Sequence, residues 1–288
     1  MSRIAYVNGA YVPHRDAAVH VEDRGYQFAD GVYEVIGVAR GRLVDEGPHF
    51  VRLKRSLGEL RLAAPMAETA LKTVLREVIR RNRLKEGCIY LQVTRGVAPR
   101  DFAFPKGVPS ALVVTAKHMR APPEDAVARG VRVITIPDIR WQRCDIKVVG
   151  LTAAVLGKQR AREAGAYEAW QVDAQGFVTE GTSSNAWIVT EDGKVVTRQA
   201  TSAILNGITR LSVIELARRA KLGFEERPFS VAEAKRAREA MITSTTSFVM
   251  PVTEIDGVKI GGGKAGPFAR RLREAYRAHA AGAGASDQ

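Results

Sequence analysis

The sequence predicts two α/β domains, and three observations predict them. Short apolar runs of strand length are separated by tight-turn pairs such as Asn8-Gly9 and Asp192-Gly193. Between them, apolar residues recur at helical spacing, as in Leu71, Val74, Leu75, Val78 and Ile79. A break at Ala121-Pro122-Pro123 disfavours both helix and central strand and is the candidate linker. The division that follows is a small N-terminal α/β domain over 1–120, a linker at 121–125 and a larger C-terminal domain over 126–288. The chain's 288 residues suffice for two modest domains.

The first sixty residues read as a β-meander: Ile4 to Val7, Ala10 to Val12, Val32 to Val38, and Leu43-Val44 after Arg40-Gly41. The period changes at Met66, where a helix begins, and Gly87 stops it. Strands Cys88 to Thr94 and Ala111 to Ala116 flank a long loop, 95–105, that mixes arginine with aromatic residues. The second half opens with a strand, Val131 to Ile136, and a helix from about Leu151 to Ala164 that Gly165 stops. Hairpin strands follow at Glu168 to Val172, Phe177 to Glu180, Asn185 to Thr190 and Val195 to Thr197. Asn206-Gly207 opens a helix whose core face includes Leu211, Ile214 and Ala217, with Gly223 as its stop. Ser230-Val231-Ala232-Glu233 has capping-box spacing for another helix. A strand at Ala240 to Thr243, a hairpin around Asp256-Gly257 and a final helix from Pro267 complete the chain.

Composition is that of a soluble globular protein, with 45% hydrophobic and 26% charged residues; the net charge of +13 is the one unusual number. A basic surplus raises a nucleic-acid reading, because clustered cations bind phosphate backbones. The densest runs, Arg80-Arg81-Asn82-Arg83 and Arg270-Arg271-Leu272-Arg273, lie instead on amphipathic helical patterns interrupted by Glu77 and Glu274. They read as solvated helix faces, and no interleaved aromatic strip supports nucleic acid. Two cysteines, Cys88 and Cys144, make neither a disulfide framework nor a metal site and point to a reducing compartment. With no apolar signal core and no membrane-length run, the reading is a cytoplasmic protein without a membrane partner.

Several chemistries fail on spacing. Gly261 to Gly266 matches G-x-G-x-x-G formally, but no βαβ unit fits behind it, so it reads as a turn. The five histidines show no ligand spacing, leaving no metal site, and there is no nucleophile elbow or P-loop. Four segments make chemical sense together. Asn206-Gly207-Ile208-Thr209-Arg210 puts free N–H groups and a hydroxyl at a helix start, which suits a phosphate. Thr243-Ser244-Thr245-Thr246-Ser247 is a hydroxyl cluster at a strand end. Lys147, followed by Val148-Val149, is a candidate for burial and hence for a neutral, Schiff-base-forming amine. Thr179-Glu180-Gly181-Thr182-Ser183-Ser184-Asn185 ends a strand in an acid and a hydroxyl-rich turn. Phosphate donors, an amine nucleophile and a carboxylate are what a pyridoxal phosphate enzyme supplies.

At this point the chain resembles a known family. Glu22-Asp23-Arg24-Gly25-Tyr26-Gln27-Phe28-Ala29-Asp30-Gly31-Val32-Tyr33-Glu34-Val35, Thr94-Arg95-Gly96-Val97-Ala98-Pro99-Arg100, Cys144-Asp145-Ile146-Lys147, Glu163-Ala164-Gly165-Ala166-Tyr167-Glu168-Ala169, Thr179 to Asn185, Gly207-Ile208-Thr209-Arg210 and Ser244-Thr245-Thr246-Ser247 look like the D-amino acid aminotransferases. These are fold-type IV pyridoxal phosphate enzymes, alongside branched-chain aminotransferases and aminodeoxychorismate lyases. The match runs in order along nearly the whole chain.

The resemblance implies a two-domain α/β (α+β) fold whose larger domain has barrel-like β structure, with pyridoxal 5'-phosphate between the domains. It implies that Lys147 carries the cofactor as a Schiff base and shuttles the proton in a ping-pong reaction, and that Glu180 pairs with the pyridine nitrogen. Arg52, Ile208, Thr209, Ser244 and Thr245 are implied for the phosphate, Leu205 for packing under the ring, and Ser183 and Ser184 for support. Tyr33, Val35, Arg100 and Phe102 are implied on the substrate side, with the arginine loop crossing from the partner of a homodimer. The expected substrates are a D-amino acid donor and a 2-oxo acid acceptor such as 2-oxoglutarate or pyruvate. One departure is informative: the family loop reads Arg-x-His, whereas this chain reads Arg100-Asp101-Phe102. Phe102 and Phe248 stand where polar residues are expected, which would widen tolerance toward hydrophobic substrates or primary amines. An (R)-selective amine transaminase and an aminodeoxychorismate lyase share the fold and are the alternatives, with a basic nucleic-acid-binding protein a distant one. The simpler reading is that Phe102 packs at the dimer interface. Gly31 to Val35 lacks the motifs of the branched-chain enzymes.

Overall fold

The computed structural model describes residues 3–282. It divides into two compact units, one holding the chain up to Arg120 together with Ile146–Gly150, the other holding Ala121–Asp145 and the chain from Leu151 onward. The short stretch 146–150, counted with the C-terminal domain in the sequence, thus belongs to the first unit.

The first unit runs β1 (Ile4–Val7), β2 (Ala10–Pro13), α1 (Arg24–Phe28), β3 (Gly31–Ala39), β4 (Arg42–Leu43), α2 (Glu46–Glu59), α3 (Glu68–Arg81), β5 (Gly87–Thr94) and β6 (Ala111–His118). Its antiparallel sheet has the order β2-β1-β6-β5-β3-β4. Asn8 and Gly9 both take positive φ, the requirement of a two-residue hairpin turn. In β3, Val32, Glu34 and Ile36 point into the core while Tyr33 and Val35 are half-buried on the other face. Ile36, Leu53, Leu57, Leu75, Val78 and Leu91 join in one apolar cluster between the sheet and α2 and α3. Each fully buried leucine there contributes roughly 1.5–3 kcal/mol.

Two of these elements depart from the expected meander. α1 and α2 are helices, although α2 carries Gly47, Pro48 and Gly58. A proline in the first turn is tolerated, because the N–H it lacks has no helical acceptor there. The buried stripe of α2 interleaves His49, Arg52 and Ser56 with Phe50, Leu53 and Leu57, which hides the helical period from an apolar count. Gly87 opens β5 instead of closing α3, which ends at Arg81.

The second unit runs α4 (Glu124–Arg129), β7 (Val131–Pro137), α5 (Thr152–Glu163), β8 (Glu168–Val172), β9 (Val178–Gly181), β10 (Asn185–Val189), β11 (Val195–Thr197), α6 (Ile208–Arg219), β12 (Phe224–Glu226), α7 (Val231–Arg236), β13 (Glu239–Ser244), β14 (Phe248–Ile255), β15 (Val258–Lys259) and α8 (Pro267–Ala280). Nine strands form one sheet in the order β12-β11-β10-β13-β14-β7-β8-β9, with β15 on β14. Gly181 N–H donates to the carbonyl of Ser184 at 2.7 Å, so the end strand β9 returns beside β10 and the sheet curls into the expected half-barrel. Both faces are buried. Ala186, Ile188, Ala240, Ile242 and Val252 line the inner face around Trp170 and Phe229, and Trp187, Val189, Met241 and Val249 meet α6 and α8.

Several local expectations are corrected here. The linker 121–125 runs into α4, with Pro123 as its extended N-cap. In α6 the core face is Ile208, Val213, Ile214 and Ala217, and Leu211 is 40% exposed. Ser230 accepts from Glu233 N–H as a capping box requires, but the Glu233 carboxylate pairs with Arg227. Arg273 is not on a solvated face. It is 2% exposed, because Ala269, Leu272, Arg273 and Tyr276 form the i, i+3, i+4, i+7 stripe that packs inward.

Candidate functional site

Lys147 is held by the first unit's sheet. Tyr33 N–H donates to the carbonyl of Lys147 at 3.0 Å and Val149 N–H to that of Gly31 at 3.1 Å, so 146–149 lines the outer edge of β3. The lysine side chain is half-buried and its Nζ lies 4.2 Å from the centre of the Tyr33 ring. Strand alternation puts Val35 on the same face as Tyr33, whose ring also leans on Tyr90 at 5.5 Å. Burial, with Tyr33 beside it, pushes the Tyr90 hydroxyl up to about 12, so it stays protonated and donates to Gln92 at 2.6 Å. Lys147, Tyr33 and Val35, chosen from sequence, are thus brought together.

Arg52 has a partner that sequence reading missed. Its Nε and Nη2 donate to the two oxygens of Glu34, each at 2.7 Å, and His49 Nδ1 lies 2.7 Å from Glu34 Oε2. Burial alone raises the Glu34 carboxyl, but the bonds from Arg52 and His49 outweigh it and hold the group down at about 2. An ionised carboxylate only accepts, so Nδ1 is the protonated nitrogen of His49. Burial, with the charges of Arg52 and Lys147, keeps the imidazole below its ordinary value against the pull of Glu34. The i, i+3 pair His49 and Arg52 on one helix was the available signal.

Arg100 lies on the loop after β5, with its guanidinium 4.6 Å from the Phe28 ring centre. Phe102, 83% exposed, leans on the same ring at 5.4 Å. Beneath them Arg24 is buried: its Nε donates to Asp30 at 2.9 Å and its Nη atoms to the carbonyls of Asp101 and Phe102. Arg95 donates to both oxygens of Asp30 and covers Phe104 at 3.7 Å. Burial raises the Asp30 carboxyl, but the bonds from Arg95 and Arg24 outweigh it and hold it below its ordinary value.

In the second unit, Glu180 is buried at the end of β9 within a web of donors. Asn185 Nδ2 donates at 3.0 Å, Leu205 N–H at 3.1 Å, and Arg140 Nη1 also donates. Arg140 is shared with Asp138, whose Oδ2 accepts its Nη2 at 2.7 Å and the Thr179 hydroxyl at 2.7 Å. Burial lowers the Arg140 pKa, but Asp138 and Glu180 reverse this and raise it. Such a carboxylate is held in place and oriented by the N–H groups around it. Arg140 and Asp138 were not anticipated. Their i, i+2 spacing after β7 puts both on one side of an extended segment, a weak signal.

Ser183 and Ser184 turn their hydroxyls to Glu168 Oε2, at 2.8 and 3.1 Å, and Thr182 donates to Oε1. Leu205 is tied by its N–H to Glu180 and by its carbonyl to Asn185 Nδ2 at 2.9 Å. α6 starts on Gly207 without a side-chain cap, leaving its first N–H groups without a capping side chain. A Cβ at Gly207 would fall 2.1 Å from Asn185 Oδ1, so only glycine fits there. Thr209 Oγ1 lies 3.4 Å from the Tyr276 hydroxyl. Ser244 and Ser247 hydroxyls are 2.7 Å apart, and Ser247 N–H donates to Ser244 Oγ at 3.1 Å, closing the turn that carries Thr245. Phe248, at φ 60°, packs on Tyr276.

An oriented carboxylate, an uncapped helix start and a hydroxyl-lined turn fit the two ends of pyridoxal phosphate, a ring nitrogen that carries a proton and a dianionic phosphate. Comparison with known proteins agrees. The amino-transferase class IV family matches residues 31–255. The chain is 42% identical over 271 residues to a D-alanine aminotransferase of Bacillus licheniformis, covering 94% of each, and 39% identical over 272 residues to that of Listeria monocytogenes, covering 94% and 93%. Among solved structures it superposes on a T.th. branched-chain amino acid aminotransferase with pyridoxamine 5'-phosphate at a TM-score of 0.91, with 30% identity and 98% and 95% of the chains covered. The Escherichia coli branched-chain amino acid aminotransferase gives a TM-score of 0.90 at 25% identity, covering 98% and 96%.

Proposed function

The chain belongs to the amino-transferase class IV family, and from that premise we propose that it moves the amino group of a D-amino acid to a 2-oxo acid, with pyridoxal 5'-phosphate as cofactor. The observation that carries this reading is the oriented Glu180 carboxylate in its web of donors. The choice of a D-amino acid rests on the D-alanine aminotransferases that share 38–42% of its residues over nearly full length.

Bound pyridoxal phosphate supplies an electron sink for the carbanion at the substrate Cα. Lys147 Nζ would hold it covalently and would move the proton at the substrate Cα. Glu180, oriented by Arg140, Asn185 and the Leu205 N–H, would accept the pyridine N–H. Arg52, oriented by both oxygens of Glu34, the N–H groups and hydroxyl of Ile208-Thr209, and Ser244 and Thr245 would hold the phosphate. Leu205 would pack against the ring, and Ser183 and Ser184 would steady the site through Glu168. Tyr33 and, reaching across the homodimer, the Arg100 loop would take the α-carboxylate, the arginine by two parallel N–H bonds, while Val35 and Phe102 would shape the side-chain space. Overall the donor would become its 2-oxo acid and the acceptor oxo acid an amino acid.

The exposed Phe102 on the Arg100 loop and the exposed Tyr26 of α1 support a homodimer in which a partner covers these aromatics. Cys88 and Cys144 are free thiols, which supports the cytoplasm. No helix of the described residues is long and apolar enough to cross a membrane. The apolar Phe28–Phe102 pair at the Arg100 loop favours a second activity on (R)-amines.

The test is a half-reaction with each donor in turn. D-alanine and D-glutamate are expected to bleach the yellow holoenzyme, and Lys147→Ala to abolish bleaching. Bleaching by L-alanine alone would overturn the stereochemical reading, and by (R)-1-phenylethylamine alone would favour the amine transaminase.

A further inference from the structure

α8 carries a charge that nothing among the described residues neutralises. Arg273 sits in the buried stripe of that helix and forms no ion pair there. Its Nη1 donates to the carbonyls of Ser247 at 3.0 Å and Val249 at 2.6 Å, while Nε and Nη2 are buried without a hydrogen-bond partner. Of the charged groups facing it, Arg277 opposes it, and Glu124, the acid on its favourable side, is itself paired with Arg277. Tyr167 also faces it, but burial holds that phenol in its neutral form. Burial accordingly depresses the guanidinium's affinity for its proton. Burying a cation without a counter-charge is costly, and neighbouring carbonyls recover only part of the cost.

The position of this cation is informative. The two carbonyls it holds flank Phe248, which is kept at positive φ, and they continue directly from the Ser244–Ser247 turn. One helical turn on, the Tyr276 hydroxyl meets Thr209 at the start of α6. The N-terminal end of α8 is fixed as well, since the Glu239 carboxylate at the start of β13 accepts the N–H groups of Phe268 and Ala269 at 3.1 and 2.9 Å. One helix therefore braces both elements that offer hydroxyls to an anion.

We propose that Arg273 is the buried counter-charge of the cofactor phosphate: a positioning residue that clamps the Ser244–Ser247 turn from behind, with Tyr276 doing the same for Thr209. The inference rests on the reading that Thr209, Ser244 and Thr245 hold that phosphate. It explains why the stripe tolerates an unpaired guanidinium, because a dianion bound at the turn supplies the missing charge through the carbonyls and hydroxyls between them.

The test uses the full chain stripped of cofactor and compares the affinity for pyridoxal phosphate with that for pyridoxal, which lacks the phosphate. Arg273→Gln is expected to weaken pyridoxal phosphate about tenfold or more and to leave pyridoxal unchanged. Arg273→Lys, which keeps the charge, is expected to recover most of that loss. Equal loss for both ligands, or no recovery by lysine, overturns the proposal. The pair Thr209→Val and Ser244→Ala separates the two readings. If these variants lose the phosphate increment and Arg273→Gln does not, the inference falls and the phosphate reading stands. If the hydroxyl variants bind as the wild type does, the phosphate reading falls and the inference with it. Should Arg273→Gln not fold, the stripped wild type still decides: inorganic phosphate is expected to raise its melting temperature above that in chloride of equal ionic strength, and no difference overturns the proposal.

Discussion

Two buried arginines, one in each unit, do the same mechanical job with different charge balance. Arg24 holds the loop of Arg100 by the carbonyls of Asp101 and Phe102, and Arg273 holds the hydroxyl turn by the carbonyls of Ser247 and Val249. Arg24 also donates to Asp30, which Arg95 shares, so it has a carboxylate partner within the unit. Arg273 has no such carboxylate among the described residues. A loop braced by a cation that has a carboxylate partner is held without a ligand, whereas one braced by a cation with none is completed by the anion it binds.

The largest test of that contrast is Arg24→Met. Removing one partner of a buried pair is expected to cost about 3–5 kcal/mol of stability, measured by urea unfolding of the stripped protein, and to raise KM for a D-amino acid through the loosened Arg100 loop. A cost below about 1 kcal/mol would erase the distinction between the two arginines. Acid comes next. The carboxyl pKa values of Glu34, at about 2, and Asp30 lie below their ordinary values in the folded protein, so their contribution is complete above the unfolded pKa and is lost as pH falls through the folded one. For buried Glu34 that amounts to about 3 kcal/mol, lost between about pH 5 and pH 2. Glu34→Gln is expected to flatten this part of the pH–stability curve, and an unchanged curve refutes the assignment. Arg273→Gln in the stripped protein is smaller again, within about 1 kcal/mol of wild type or stabilising, because it removes an unbalanced buried cation. The smallest effect is Phe102→His. At 83% exposure it is expected to change stability by less than about 0.5 kcal/mol, and to lower KM for D-amino acids relative to (R)-amines by restoring a donor beside Arg100. An unchanged KM ratio would assign Phe102 to packing alone.

Much of this was legible in the sequence. The hairpins at Asn8-Gly9, Asp192-Gly193 and Asp256-Gly257 follow from turn chemistry, and α3 follows from the spacing of five apolar residues. Lys147 and Glu180 emerged from the convergence of four polar segments and from resemblance. What stayed hidden shares one cause, since apolar periodicity reads oil and is blind to buried polar groups. α2 was missed because His49, Arg52 and Ser56 occupy its inward stripe. Arg140 was missed because its partner Glu180 lies 40 residues away. Arg273 was read as solvated because an arginine inside an apolar stripe resembles, by composition, one outside it.

The strip 146–149 along β3 bears on how this chain can be cut. β4 covers only Val38 and Ala39 of that outer edge, and the strip pairs with its other end at Gly31 and Tyr33. A fragment ending at residue 120 keeps every named element of the first unit yet bares half of an edge strand, the template on which sheets of separate molecules join. Such a fragment is expected to self-associate, scattering more light as its concentration rises, and a peptide spanning 145–150 is expected to suppress it. A monodisperse fragment would mean that the edge is protected in some other way.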